Sequence, residues 1–336
     1  GHGGRDNSGA NLGGTYQGLV SARAGTDGAT GKISFEAGDG NFSYAQFGHG
    51  GIENGGDHNG RLEALAINNI SFLGGDGTGS YAQFGNGGIN ADTGGNASLG
   101  NVGRLSMGST QGQILFTGGV GQDAYAQMGN GGRNTGGAHA GDIVARASQD
   151  LLITPGTGTR AYAQVGHGGH NADAAPGTSG HTGTITMTAG TFAPTVFGDP
   201  VGNPAENGLQ AFGIQGMRVF QDVFDVDMNG MYDDDVTIYN NGGSMGSTNT
   251  NALATGIRVG VATPGDAAGT EAFAMVGHGG YESNGDHGDF ATPTNSQIYV
   301  ESTGDILVHG GGTNTGASAM IGHGGQNVVG DLGGRI

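Results

Sequence analysis

The chain contains no cysteine, no tryptophan, a single lysine (Lys32) and seven prolines among 336 residues. Without Cys, disulfides, Cys-zinc sites and thiol catalysis are excluded together. Ten arginines are scattered along a chain of formal charge −18, and no basic cluster exists to neutralise a phosphate backbone. Nucleic acid is therefore not an expected partner, and the same acidity disfavours anionic membranes. No apolar run approaches the roughly 18 residues of a membrane-spanning helix, so no membrane-spanning segment is expected. Long acidic chains without Cys suit export to an oxidising exterior.

What the sequence does have is glycine, 78 residues of it, with no G-x-y period that would indicate collagen. Apolar residues make up 34%, low for one globular core and better suited to a thin, elongated one.

The glycines are organised. YAQFGHGG begins at Tyr44 and returns as YAQFGNGG at 81, YAQMGNGG at 125 and YAQVGHGG at 162, then as FAMVGHGG at 273 and SAMIGHGG at 318. The glycine opening each GxGG stands at 1, 48, 85, 129, 166, 277 and 322, so the intervals are 47, 37, 44, 37, 111 and 45 residues. A period near 40 signals a solenoid or a propeller. The chain starts inside one repeat and stops inside another, as expected of a slice of something longer or of a processed subunit.

Three apolar segments recur in fixed order within each interval, each alternating with the period of two that marks a strand with one buried face. The first is YAQF and its relatives. The second includes GLVSARA at 18, GRLEALA at 60 and GDIVARA at 141; the third includes GKISFEA at 31, NISFLG at 69 and QILFTG at 113. Leu62, Ala64 and Ala66 share the inward side in the second, and Ile70 and Phe72 in the third. In the first, alternation turns Ala82 and Phe84 inward. It sends Tyr44, Tyr81, Tyr125 and Tyr162 outward beside Gln46, Gln83, Gln127 and Gln164, as exposed ladders. Propeller blades have a similar period but need tight hairpins, whereas the joints here are loose Gly/Asn-rich loops of variable length. The expected fold is all-β, a parallel β-helix (β-solenoid) with three strands per turn and repeats of about 40 residues. Regular repeats are expected over 1–189 and 271–336, separated by an irregular region, 190–270.

The GHGG segment is read as a corner, where Gly supplies positive φ and close backbone approach. His49, His167, His278 and His323 share one corner position with Asn86 and Asn130. Asn cannot replace imidazole as a transition-metal ligand, but both can hydrogen-bond a turn. The reading is therefore structural rather than metallic.

The irregular region carries DVDMNGMYDDD. It places Asp225, Asp227 and Asn229 at the first, third and fifth positions of an EF-hand-type loop, Gly230 at the sixth, the Met231 carbonyl at the seventh and Asp233 at the ninth. The usual bidentate Glu is missing, so Asp235 or Asp234 stands in for it, and Ca²⁺ is the expected cofactor. No catalytic signature was found: no GxSxG, HExxH or P-loop occurs. Asp57–His58 and Asp286–His287 read as solvated loop tips.

The β-helix pattern and the YAQxGHGG corner resemble the repeats of filamentous-haemagglutinin-like bacterial surface exoproteins. The resemblance implies an extracellular adhesive or structural role at a bacterial cell surface. The expected function is a non-enzymatic β-solenoid segment or subunit of a surface filament or adhesin rod. Its expected partners are copies of itself or further repeats of the same chain, stacked end to end. The alternative is a glycan- or receptor-binding module using the Tyr/Gln ladders and corner loops, with a polysaccharide-degrading enzyme a more distant third.

Overall fold

A computed structural model describes residues 3–5, 15–25, 30–91, 101–173, 179–190, 256–288, 296–312, 314–334 and 336. Among these there is no helix, and the strands pair in parallel in four sheets of seven, ten, six and six strands. The architecture is a parallel β-helix. Each repeat supplies one strand to three of the sheets and one long or two short strands to the ten-stranded sheet, and the partner strand comes from the next repeat rather than from the neighbouring element in sequence. Tyr44 pairs with Tyr81, Tyr81 with Tyr125 and Tyr125 with Tyr162, residue on residue.

All three expected segments are strands. One turn runs through Asp57–Ala66, Ile70–Leu73 and Tyr81–Phe84. The Gly-rich corner adds a fourth short ladder, in which Gly50–Ile52 pairs with Gly87–Ile89. This ladder is made almost entirely of backbone, which is why it leaves no alternation in the sequence.

The main core fills the space inside the three longer ladders. Leu62, Ala64 and Ala66 meet Ile70 and Phe72 and the Ala82/Phe84 pair, and the same set repeats as Leu105, Met107, Ile114, Phe116, Ala126 and Met128. Like residues stack along the axis: Phe35 lies on Phe72 with ring centroids 5.0 Å apart, and Phe72 on Phe116 at 5.2 Å. Alanine on two of the three walls leaves room for the rings, and in one turn Phe72 meets Phe84 edge-on at 6.0 Å, so the core stays thin.

A second, smaller core lies on the other side of the Tyr-Gln strands. Ile52, Tyr81, Ile89, Tyr125, Tyr162, Phe273, Met275 and Tyr281 pack together there. After each corner the Gly-Gly strand runs back over the outer face of the Tyr-Gln strand and covers it. The tyrosines and glutamines therefore point away from the main core, as alternation requires, but not into solvent. Tyr81, Tyr125, Tyr162, Gln83, Gln127 and Gln164 are all fully buried, which corrects the expectation of exposed ladders; only Tyr44 and Gln46, in the first described turn, are half-buried.

Gly88 shows why the covering strand is glycine. Its φ is +135°, and a Cβ would collide with the Gly51 carbonyl and stand 2.9 Å from the Tyr81 hydroxyl. A side chain here would separate the two layers.

The regular path also resumes earlier than expected. Ile257–Gly260 pairs with Leu151–Thr154 on one side and Ile306–His309 on the other, with Ile257 and Val259 in the core. The 111-residue interval is thus a single turn with a long insertion at one corner, between Ile185–Ala189 and Ile257–Gly260. The calcium-type loop, with Asp225, Asp227, Asn229, Met231, Asp233 and Asp235, falls in that insertion and lies outside the described residues.

Candidate functional site: the buried polar columns

The residues singled out from the repeat converge on the strip between the Tyr-Gln strands, the Gly-Gly strands and the start of the long strands. There they form columns parallel to the solenoid axis.

The corner residues make the first column. The backbone N–H of His49 donates to Asn86 Oδ1 at 3.0 Å, and that of Asn86 to Asn130 Oδ1 at 3.0 Å. The N–H of Asn130 then donates to His167 Nδ1 at 2.9 Å, that of His167 to His278 Nδ1 at 3.1 Å and that of His278 to His323 Nδ1 at 3.3 Å. The far end of each side chain donates to a carbonyl on the long strands: Asn86 Nδ2 to Gly60, Asn130 Nδ2 to Gly103, His167 Nε2 to Gly141 and His278 Nε2 to Gly183. Asn and His thus do one job with one acceptor and one donor. These contacts fix the imidazoles as the Nε2–H tautomer with a lone pair on Nδ1. The rings stack, with centroids 4.8 Å apart for His167 and His278 and 4.9 Å for His278 and His323.

The glutamines form a clamp. Gln83 Nε2 donates to the carbonyls of Gly129 and Gly131 in the next turn, at 3.0 and 3.1 Å. Gln127 repeats this on Gly166 and Gly168, and Gln164 on Gly277 and Gly279. One amide holds the two carbonyls on either side of the corner. The tyrosines beside them stack at 4.9 Å (Tyr81 on Tyr125) and 4.8 Å (Tyr125 on Tyr162), and Phe273 continues the stack. Their hydroxyl groups matter less: Tyr81 donates to Gln46 Oε1 at 3.2 Å, whereas the Tyr125 hydroxyl is buried without a hydrogen-bond partner.

A second imidazole column lies beside the first. His58, Asn101, His139, His181 and His287 occupy one register. His139 stacks on His181 at 4.8 Å and His181 on His287 at 5.0 Å. His58 and His287 are fully buried, so the reading of Asp57–His58 and Asp286–His287 as solvated tips is corrected. His181 Nε2 lies 3.0 Å from the Ala172 carbonyl and 2.9 Å from Ser283 Oγ, and His287 Nε2 lies 2.9 Å from the Ser283 carbonyl. The sequence did hold a signal for this column: in the turns with short loops, His58, His139 and His287 each follow the corner residue by nine positions.

Burial holds these rings neutral. Desolvation is the largest cause throughout: it brings His139 down to about 3 and His167 to about 4, and it lowers His181, His278, His287 and His323. Neighbouring imidazoles add to the effect in His139, His181, His278 and His323.

One ionic cluster escaped the sequence reading. Asp123, buried, receives Arg160 Nε on Oδ1 at 2.7 Å and faces Arg133 Nη2 at 3.2 Å from Oδ2. His170 Nδ1 stands 3.5 Å from the same carboxylate, and Glu271 lies 3.9 Å from Arg160. Asp123, Arg160 and Glu271 occupy one left-handed turn position, with φ of 58°, 53° and 56°. The charges alternate from turn to turn, so the cluster is another bond along the axis. Nothing in the repeat marks it, because this position varies freely.

What the columns do chemically is join turns. The corner side chains and the glutamine amides bond to the turn above or below. No group of three or more His, Asp or Glu able to hold a metal occurs among the described residues. No protein-family model, curated protein or solved structure matches this chain.

Proposed function

We propose that this chain is a non-catalytic section of an extracellular rod, a β-solenoid segment or subunit of a bacterial surface filament or adhesin. The observation that carries this reading is that the repeated polar residues serve the scaffold. The Gln clamp, the Asn/His corner chain and the Tyr stack all bind one turn to the next, and in a stack of repeats those nearest-neighbour contacts carry the stability of the rod. The acidic, Cys-free composition and the resemblance of the YAQxGHGG pattern to filamentous-haemagglutinin-like repeats support the same reading.

The rod's partners on this reading are copies of itself or further repeats, stacked end to end by continued strand pairing. Ile306 and Val308 stand in phase with the core pair Ile257 and Val259 and are about half exposed, at 45% and 44%. A further turn stacked there would cover them. Glycan or receptor binding through the Tyr/Gln ladders loses its face, because that face is buried; such binding would have to use the loops that follow the corners. The loop at 225–235 is proposed to hold Ca²⁺.

Electron microscopy of native material, with and without a calcium chelator, tests this function. Long filaments of uniform width support the rod. Isolated compact particles that bind a glycan array argue instead for a binding module.

A further inference from the structure

We infer that the C-terminal half of the described solenoid is an acid-sensitive element, in which protonation of two buried imidazole columns breaks the bonds between turns. The first column is His167, His278 and, half-buried at its end, His323; the second is His139, His181 and His287.

In the first column the nitrogens of His167 and His278 are fully committed. Nε2 carries a proton that goes to the carbonyl of Gly141 or Gly183, and Nδ1 accepts a backbone N–H from the preceding turn. A second proton can only go to Nδ1, where it would meet the N–H of Asn130 or His167 head-on. The inter-turn bond becomes donor against donor. In the second column Nδ1 of His181 and of His287 is buried with no hydrogen-bond partner, so a proton there gains an N–H with nothing to accept it.

The surroundings do not compensate. The rings stack 4.8 to 5.0 Å apart within each column. Within the columns His139 feels His58, His181 feels His139 and His287, and His278 feels His167 and His323; across them His139 feels His167, His181 feels His278, and His278 feels His287. The carboxylate acting on them is Asp286, beside His287, and it offsets only part of the burial of that ring. Asp123, Arg133 and Arg160 face His170 instead, which belongs to neither column. Charging two neighbours in one column therefore places like charges on rings whose centroids are 4.8 to 5.0 Å apart.

The sign follows from the lowered folded-state values. The unfolded chain takes up protons near 6.5, whereas His167 and His139 resist until about 4 and about 3. Stability is fully present above about 6.5 and is lost as pH falls from there toward 3 to 4. Each ring contributes up to tenfold in the unfolding equilibrium per pH unit, so several rings together make the transition steep. The chain carries its own non-titrating counterpart: Asn86 and Asn130 fill the same corner with the same bonds, and Asn101 stands in register between His58 and His139.

The test uses the full chain. Hydrogen exchange, corrected for intrinsic rates, is compared at about pH 8 and about pH 5. Protection should fall first around Ile257–Gly260, Phe273–Val276 and Ser318–Ile321, while Ile70–Leu73, Tyr81–Phe84 and Ile114–Thr117 keep theirs. The double variant His167→Asn/His278→Asn should lower the midpoint of acid unfolding by about half a pH unit or more. Uniform loss of protection, or loss that begins in the turns of Asn86 and Asn130, overturns the inference, as does an unchanged midpoint in a folded variant. If the variant does not fold at about pH 8, the wild-type exchange map decides alone.

Discussion

The backbone N–H of Asn130 donates to Nδ1 of His167 in the next turn, 2.9 Å away. One turn earlier the N–H of Asn86 makes the same bond to Asn130 Oδ1 at 3.0 Å. An imidazole and a carboxamide are interchangeable here because each offers an acceptor to the turn before and a donor to the long strands.

That equivalence can be measured at Asn86. Asn86→His should leave stability within about 1 kcal/mol, because the repeat already accepts His at this corner. Asn86→Ala strands the His49 N–H and the Gly60 and Val102 carbonyls in a buried site, and should cost about 3 kcal/mol in denaturant unfolding. Equal losses in the two variants would show that the corner requires amide shape rather than its bonds.

Gln127 tests the clamp. Its Nε2 holds the carbonyls of Gly166 and Gly168 at 3.1 and 3.0 Å. Gln127→Glu keeps the shape but at neutral pH sets a buried carboxylate against two carbonyl oxygens, and should cost about 3 kcal/mol or more. Measured against the wild type at the same pH, part of the loss should return on mild acidification as the carboxylate protonates. A neutral Gln127→Glu variant contradicts the clamp.

At Tyr125 the ring and the hydroxyl separate. The hydroxyl is buried without a partner, and Phe273 fills the equivalent place. Tyr125→Phe should therefore be neutral or stabilising by up to about 1 kcal/mol, whereas Tyr125→Ala should cost about 3 to 5 kcal/mol through the cavity left in the stack. Thermal melts of both variants check this. A Phe variant as damaged as the Ala variant would place the hydroxyl, not the ring, at the centre of the column.

The left-handed residue after the Gly-Gly strand offers a stabilising change. Asn134 Nδ2 donates to Asn90 Oδ1 at 3.1 Å and Asn171 Nδ2 to Asn134 Oδ1 at 3.0 Å, all three with φ near 51–52°. Glu282 follows with φ 50° and interrupts the ladder. Glu282→Asn should extend it and raise stability by about 0.5–1 kcal/mol, since Asn tolerates this conformation better and regains an amide partner. A lower melting temperature would contradict the ladder's contribution.

The sequence made the core legible and its cover illegible, for a physical reason. Alternation tells which side of a strand each residue takes, so Ala82 and Phe84 were correctly placed in the core, opposite Tyr81 and Gln83. It does not tell what lies on the other side. The covering strand Gly87–Ile89 is mostly backbone and has no hydrophobic pattern, so Tyr81 read as exposed. The strand at Ile257–Gly260 was missed because a long insertion displaced it from its place in the period. Variable loops disguised the second histidine column: fourteen residues separate His167 from His181, against nine between His278 and His287. The Asp123–Arg160 pair was missed although the repeat aligns it, each residue standing two positions before a stacked tyrosine, Tyr125 or Tyr162, because no constant residue type marks that position.

Cryo-electron microscopy of the native rod, at a resolution that separates strands, tests the central claim most directly. The account predicts a rod of parallel strands with an axial rise of about 4.8 Å per turn, in which Tyr81, Tyr125 and Tyr162 form one buried stack under the Gly-Gly strands. A compact particle, or a rod whose tyrosine stack faces solvent or a bound ligand, would contradict it.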